Sequence, residues 1–517
     1  STLGGLVSGN GILVKDGAGT LVVDGANTYS GGTTVNAGTL QVGHATALGT
    51  AGVSLNAGTF AAAGSTGVAL ANDFTVAGDV TLGDASNAGA LTLSGTVTLG
   101  TARTLTTAAD VTLSGAVSVA GLTKEGSAAL HLSGASTITG DVVVNAGTLA
   151  TGTATTLGAV SSVTVATGAT LKLNGAETVT ALTNDGSIFL NSGSLTTGDS
   201  SDRTISGSID GTGALVKSGT GILTLNGAST FAGTTTLDAG TLNLTSAGAL
   251  GTSAVTVNAG NFTVGGIISG ASMGLTKNGS GTLVLSGANT YNGTTTVNAG
   301  NLTIGAADRI ADTSNLNVAG GAFNLGGFNE TLGSITGSGN ITLGAGTLTT
   351  NSTSNTTFSG LISGTGGLTK NGTSTLTLSG NNTYTGTTTI NAGTLQVGNA
   401  TTGSIASTSV VNNANLLYGT TVASGTFGLA NSTTGTGNLT GTAKLLKLNG
   451  NITQSGNVIL TSGTNAGGAG IELVSNTTIR AGNITLTGDL ARSGSDGGSL
   501  ALDTSATNGA INLDVSI

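Results

Sequence analysis

The 517-residue chain has no cysteine, no proline and no tryptophan, and only 7% of its residues are charged. The lack of Cys excludes a disulfide framework and any thiolate metal site, and it is compatible with a chain exported before it folds. Disorder calls for high charge and low hydrophobicity, whereas 37% of these residues are hydrophobic. A formal net charge of −9 repels polyanions, so nucleic acid is not an expected partner. No run of about 18 apolar residues occurs, and Ser1 does not open a basic segment followed by an apolar one. Neither a membrane helix nor a signal peptide is therefore expected here, and if the protein is secreted its export signal lies outside these residues.

Helical signal is missing as well, since no window of about 15 residues reads as an amphipathic helix. What fills the chain is 92 Gly with Thr, Val, Leu, Ala, Ser and Asn, a mixture suited to short β-branched strands and tight turns. It is uniform from end to end, with no linker or charge run, so one repetitive body fits better than several globular domains.

One block recurs five times. Its clearest copy, Gly279 to Gly305, reads GSGTLVLSGANTYNGTTTVNAGNLTIG. Close copies cover Gly17 to Gly43 and Gly372 to Gly398. A looser one with Phe231 in the Tyr slot starts at Gly219, and an eroded one with Ile138 there starts at Gly126. Tyr29, Tyr291 and Tyr384 occupy one repeat slot, and Lys15, Lys124, Lys217, Lys277 and Lys370 another.

Each block carries two alternating strand signatures 19 residues apart: Leu21 and Leu40, Leu130 and Leu149, Leu223 and Leu242, Leu283 and Leu302, Leu376 and Leu395. Between blocks the step is 20, as from Val35 to Leu55, Leu237 to Val257 and Leu242 to Phe262. Alternation gives each strand one buried face, and a step of 19 to 20 residues between equivalent strands defines one coil of a solenoid. The expected fold is all-β, a right-handed parallel β-helix. Dividing the chain by about 20 gives roughly 26 coils and, at about 4.8 Å each, a rod on the order of 120 Å. The corners fall at Asn36-Ala37-Gly38, Asn258-Ala259-Gly260, Asn298-Ala299-Gly300 and Asn391-Ala392-Gly393, where Asn and Gly tolerate positive φ. Leu6 enters in mid-repeat and Ile511 to Ile517 still alternates, with no polar or helical cap. The expectation is a piece of a longer polypeptide, or a unit that stacks on its neighbours.

These motifs resemble the passenger-associated transport repeat of Gram-negative autotransporters. The resemblance rests on Gly274-Leu275-Thr276-Lys277, on the Gly-x-Gly-Thr-Leu-x-Leu-x-Gly strand from Gly279 to Gly287, on Asn289-Thr290-Tyr291, and on Thr-Thr-x-x-Asn-Ala-Gly ending at Gly300. It covers about a quarter of the chain directly. From Gly441 it fades, and Gly450 to Gly488 looks more like filamentous-haemagglutinin repeats. The chain thus divides into residues 1–440, a β-helix with passenger-associated transport repeats, and 441–517, a continuing β-helix with more haemagglutinin-like repeats. Both resemblances imply a secreted or cell-surface β-helix, often an adhesin. In single-chain autotransporters they also imply a C-terminal outer-membrane barrel, which would lie outside this chain.

Catalysis on a β-helix needs carboxylates gathered in one groove, yet only 22 Asp plus Glu are spread along the chain, mostly singly as at Asp24, Asp141 and Asp238. The densest group, Asp199, Asp202, Arg203 and Asp210, reads as a turn-rich solvated loop. Gly198-Asp199-Ser200 approaches a serine-protease nucleophile motif but continues with Ser201. His44 lies in a turn, and His131, between Leu130 and Leu132, should point outward, three to four coils from Ser200. No helix follows Gly9-Asn10-Gly11 or Gly279-Ser280-Gly281 to bind phosphate, and no RTX calcium nonapeptide occurs. The expectation is no catalytic residue, no metal, no cofactor and no enzymatic activity. The Lys slot reads as a solvated strand-end gatekeeper, and the Asn-x-Thr triplets at Asn292, Asn371 and Asn476 as turn Asn beside strand Thr. The leading function is an adhesin or interaction rod at the bacterial surface, its partner a host or cell-surface receptor. The alternative is a self-assembling extracellular fibre built by end-to-end stacking, and the third reading is a polysaccharide-active enzyme.

Overall fold

A computed structural model describes all residues except 88, 154–156, 158–159, 247, 253, 259–260, 271–272, 400–401, 420–425, 430–431, 444, 463–470, 493–498, 505–508 and 517. The corner residues Ala259 and Gly260 and the terminal Ile517 lie outside the described residues. The described secondary structure is short strands, most of three or four residues, and every pairing between them is parallel. No described helix is long and apolar enough to cross a membrane.

The fold is a parallel β-solenoid of about 23 turns, divided by contact density into the units Ser1–Val255 and Thr256–Ile517. The first unit contains a 13-stranded sheet from Thr2–Leu3 to Thr241–Leu244, an 8-stranded sheet from Val68–Leu70 to Ser208–Gly211, and a 7-stranded sheet from Leu13–Lys15 to Thr137–Ile138. In the second unit a 6-stranded sheet runs from Phe262–Val264 to Ile362–Ser363, and a 9-stranded sheet from Glu330–Leu332 to Leu500–Asp503. A further ladder in that unit passes through Leu275–Lys277, Thr295–Val297, Asn315–Val318, Ser334–Gly337, Thr356–Phe358, Thr375–Leu378 and Thr394–Val397.

Register follows the sequence period. Leu21 faces Leu40, Leu130 faces Leu149, Leu223 faces Leu242, Leu283 faces Leu302, and Leu376 faces Leu395. Within a strand, alternation sets the face: Leu283 and Leu285 are buried and Val284 between them is only half-buried. A one-residue slip would turn each leucine to solvent, so the apolar stacks specify the pairing. Each fully buried Leu or Val contributes roughly 1.5–3 kcal/mol.

The coils number fewer than the 26 expected because the step is not constant. Leu82 pairs with Thr107, 25 residues on, across a coil that carries an extra turn at Asp84–Asn87. The Asp84 carboxylate accepts from Ser86 N, Asn87 Nδ2 and Gln41 Nε2, so the enlarged corner is tied back to the body of the coil.

At the Asn-Ala-Gly corners Gly supplies the positive φ and Asn does not. Gly300 has φ 67°, and a Cβ there would meet the carbonyl oxygens of Gly279 and Gly281 at 2.4 Å. Among the described residues the sole non-glycine at positive φ is Asp308.

Candidate functional site

The repeat lysines overturn the gatekeeper reading. Lys124, Lys277 and Lys370 are 0% exposed, and Lys15 and Lys217 are buried as well. In Leu275-Thr276-Lys277 the alternation that turns Leu275 inward turns Lys277 inward too. The stem then runs beneath the corner, and the ammonium ends among backbone carbonyls. Lys15 Nζ donates to Asp16 O (3.1 Å), Gly17 O (2.7 Å) and Ala37 O (2.8 Å). Lys124 repeats this with Glu125 O, Gly126 O and Ala146 O, and Lys217 with Ser218 O, Gly219 O and Ala239 O. Lys277 donates to Gly279 O, and Lys370 to Gly372 O and Ala392 O. Three donors meet three acceptors in the full arrangement, which compensates a cation withdrawn from water. Desolvation nevertheless lowers the Lys124 pKa to about 8. In four of the blocks one acceptor is the Ala of the next coil's corner, so the Lys slot and the Ala-Gly corner are one device.

The Asn of Asn-Thr-Tyr is a second tie, whose role the sequence did not disclose. Asn289 is buried; its Oδ1 accepts from Ile268 N (2.7 Å), and its Nδ2 donates to Gly287 O and to Arg309 O (2.7 Å). One amide thereby joins three successive coils. Asn27 does the same between Val7 N and Ala47 O, and Asn382 between Ile362 N and Ser404 O. The neighbouring tyrosines are buried, with hydroxyls bonded four residues ahead: Tyr29 to Thr33, Tyr291 to Thr295 and Tyr384 to Thr388. In the looser blocks Phe231 and Ile138 fill the same slot as purely apolar residues.

The corner asparagines stack outside. Asn56 Nδ2 donates to Asn36 Oδ1, and Asn36 Nδ2 to Asp16 Oδ1. Asn298, Asn278 and Asn258 form a second exposed ladder, and Asn413, Asn391 and Asn371 a third. Asn is selected there for an amide that both donates and accepts along the stack.

Among the described residues two carboxylates are buried, Glu177 and Glu330. Glu330 accepts from Arg309 N and Ile310 N, each at 2.9 Å, and Glu177 accepts from Leu157 N at 2.7 Å. Both hold a loop about 20 residues earlier, and desolvation raises the pKa of each to about 7.

The acidic group at Asp199 resolves into separate structural roles. Asp199 pairs with Arg203 at 2.7 Å, which lowers its pKa, and caps Ser201 N. Asp202 accepts from Ile222 N in the next coil. Asp210 accepts from Ser208, Ser187 and Thr230, bonds that outweigh desolvation and lower its pKa. His131 is half-buried between buried Leu130 and Leu132, and the exposed His44 contacts Thr46. Asn292, Asn371 and Asn476 are all exposed; Asn371 belongs to a ladder and Asn476 accepts from Ser499.

The Passenger-associated-transport-repeat family model matches residues 13–42, 122–150, 215–244, 275–304 and 368–397. These are the five blocks that carry the lysine corners. Over 187 residues the chain is 40% identical to the adhesin BmaC autotransporter of Brucella suis biovar 1 (strain 1330), an alignment covering 36% of this chain and 5% of that protein. The chain therefore corresponds to a small fraction of that relative's length. No solved structure matches it. The fold and the comparisons agree on a parallel β-solenoid that carries five passenger-associated transport repeats and is similar over part of its length to an autotransporter adhesin.

Proposed function

We propose that the chain is displayed at the bacterial surface as a non-enzymatic adhesin, its solenoid presenting uncharged polar faces to a receptor. The observation that carries this reading is the 40% identity over 187 residues to a protein named as an adhesin, in a chain that carries passenger-associated transport repeats. The chemistry of the described side chains agrees with it. The buried cations and the buried carboxylates Glu177 and Glu330 are engaged with backbone groups, and Asp199, Asp202 and Asp210 bond to neighbouring strands and loops. Much of what the coils turn outward is Thr, Ser and Asn, as in the strands Thr388–Ile390 and Thr375–Leu378 and in the corner ladders. A surface of this kind recognises by many hydrogen bonds and few charges.

The test is attachment of the purified chain to a panel of host and bacterial cells, together with electron microscopy at two concentrations. Saturable attachment by discrete particles supports the reading. Absence of attachment, with regular filaments far longer than one chain, would replace it with a structural fibre.

A further inference from the structure

We infer that a notch in the second unit, between Asp312 and Thr356, is a binding site for an uncharged carbohydrate; this deepens the adhesin reading by naming its ligand class.

The notch arises from unequal corners. In one coil the strands Glu330–Leu332 and Ser334–Gly337 are joined by Gly333 alone. In the next coil the equivalent strands, Leu348–Thr350 and Thr356–Phe358, are separated by the longer corner 351–355. In the preceding coil an extended loop leads through Asp312 and Thr313 into the strand Asn315–Val318. The middle corner recedes between two that protrude. Gly333 is required at its floor, because a Cβ there would lie 2.7 Å from Thr313 O and 3.0 Å from Asn315 Oδ1. The coils are stapled across the floor by Gly333 N to Ser314 O and Asn351 N to Leu332 O. The cavity is about 530 Å³, lined by Asp312, Thr313, Asn315, Gly333, Ser334 and residues of 351–356. That volume lies within the range of ordinary small-molecule pockets.

Its chemistry narrows the ligand. The lining contains no Lys, Arg or aromatic residue and one carboxylate, Asp312. Anionic ligands, sialylated or sulfated sugars included, meet repulsion from Asp312 with nothing to offset it. An apolar ligand finds no aliphatic or aromatic residue in the lining to pack against. What remains is a set of hydroxyl and amide groups: Thr313, Asn315, Thr353 and Ser354 are exposed, and the Ser334 hydroxyl is fixed on Asn315 Oδ1 at 2.7 Å, which leaves the Asn315 amide group to donate outward. A carboxylate beside an amide and several hydroxyls suits the adjacent hydroxyls of a neutral pyranose, with Asp312 accepting and Asn315 donating.

The experiment presents the full chain to an array of neutral hexose and N-acetylhexosamine oligosaccharides alongside sialylated and sulfated ones, then measures the hits by calorimetry. The comparison proteins are Asp312→Ala/Asn315→Ala, the notch-filling Ser354→Tyr, and Asp199→Ala as a remote control, each checked for an unchanged far-UV spectrum and melting curve. The expected result is binding of neutral glycans, weakened roughly tenfold or more by both notch variants and unchanged in the control. Binding of anionic glycans only, binding unaffected by either notch variant, or no glycan binding overturns the site. If the chain attaches to cells and the notch variants attach equally well, the notch fails and adhesion stands. If neutral glycans bind in the notch but no cell type is attached, the adhesin reading fails and the notch stands.

Discussion

The ammonium of Lys124 donates to the carbonyl of Ala146, 22 residues further along, at 3.1 Å, so a side chain from one coil holds the corner of the next. The same contact joins Lys15 to Ala37, Lys217 to Ala239 and Lys370 to Ala392. Removing such a lysine leaves carbonyls enclosed and unpaired, whereas losing a solvated lysine costs little. Lys124→Met, which keeps the packed stem and deletes the donors, is expected to cost about 2–4 kcal/mol, read from urea unfolding. A loss under about 0.5 kcal/mol, typical of surface substitutions, would show that the carbonyls find other partners. Leu283→Asp, which places a charge in the apolar stack, is expected to cost at least as much.

The coil-bridging asparagines should be distinguishable from the exposed ones. Asn289→Ala removes one acceptor and one double donor from a buried site and should destabilise by about 2–4 kcal/mol. Asn298→Ala interrupts an exposed ladder and should cost under about 1 kcal/mol. Equal losses in thermal melts would contradict this ordering.

Tyr291 and Thr295 are expected to be coupled through their buried hydroxyls. A double-mutant cycle with Tyr291→Phe and Thr295→Val should return about 1 kcal/mol of interaction energy. Additive losses would mean that the two hydroxyls contribute independently.

Acidity should stabilise the fold down to about pH 4–5. Burial raises Glu177 and Glu330 from 4.5 to about 7, with Asp308 and Asp312 adding to the shift at Glu330. Their contribution is fully present below about 4.5 and is lost as pH rises through about 7, by up to about 3 kcal/mol each. Lys124, lowered from 10.5 to about 8, acts oppositely: its contribution is present above about 10.5 and lost as pH falls through about 8. The buried Tyr291, Tyr384 and Tyr418, all raised by desolvation, remove stability once an unfolded tyrosine would ionise, above about 10. Asp199 and Asp210, both lowered, withdraw theirs below about 3.8. Melting temperature should therefore peak near pH 4–5, fall to a low between about 7 and 8, and fall again above about 10. Glu330→Gln should flatten the acid limb; a wild-type maximum at neutral pH would contradict the scheme.

The coil was legible because its determinant is local and periodic. Leu283 and Leu302 could be matched from sequence since a stacked pair needs like residues at a fixed step, and the structure pairs them. Lys277 was misread because a charged residue at a strand end is ordinarily solvated. Its burial depends on carbonyls gathered by a glycine turn, which no residue-level preference records. Asn36 was assigned to a corner for its backbone, whereas its amide is what the ladder uses. The notch at Gly333 was invisible because it is made by residues a corner does not have, and a deletion of that kind shows only beside the coils above and below.

Asn289 bonds backward to Ile268 and forward to Arg309, so its coil is finished only by its successor. In a chain delivered from one end, the newest turn at the growing tip always holds half its ties and receives the rest with the following 20 or so residues. Order of arrival thereby becomes order of consolidation. For the same reason, an interruption inside one block would open a single seam and leave the turns on either side zipped, instead of dissolving the whole array at once.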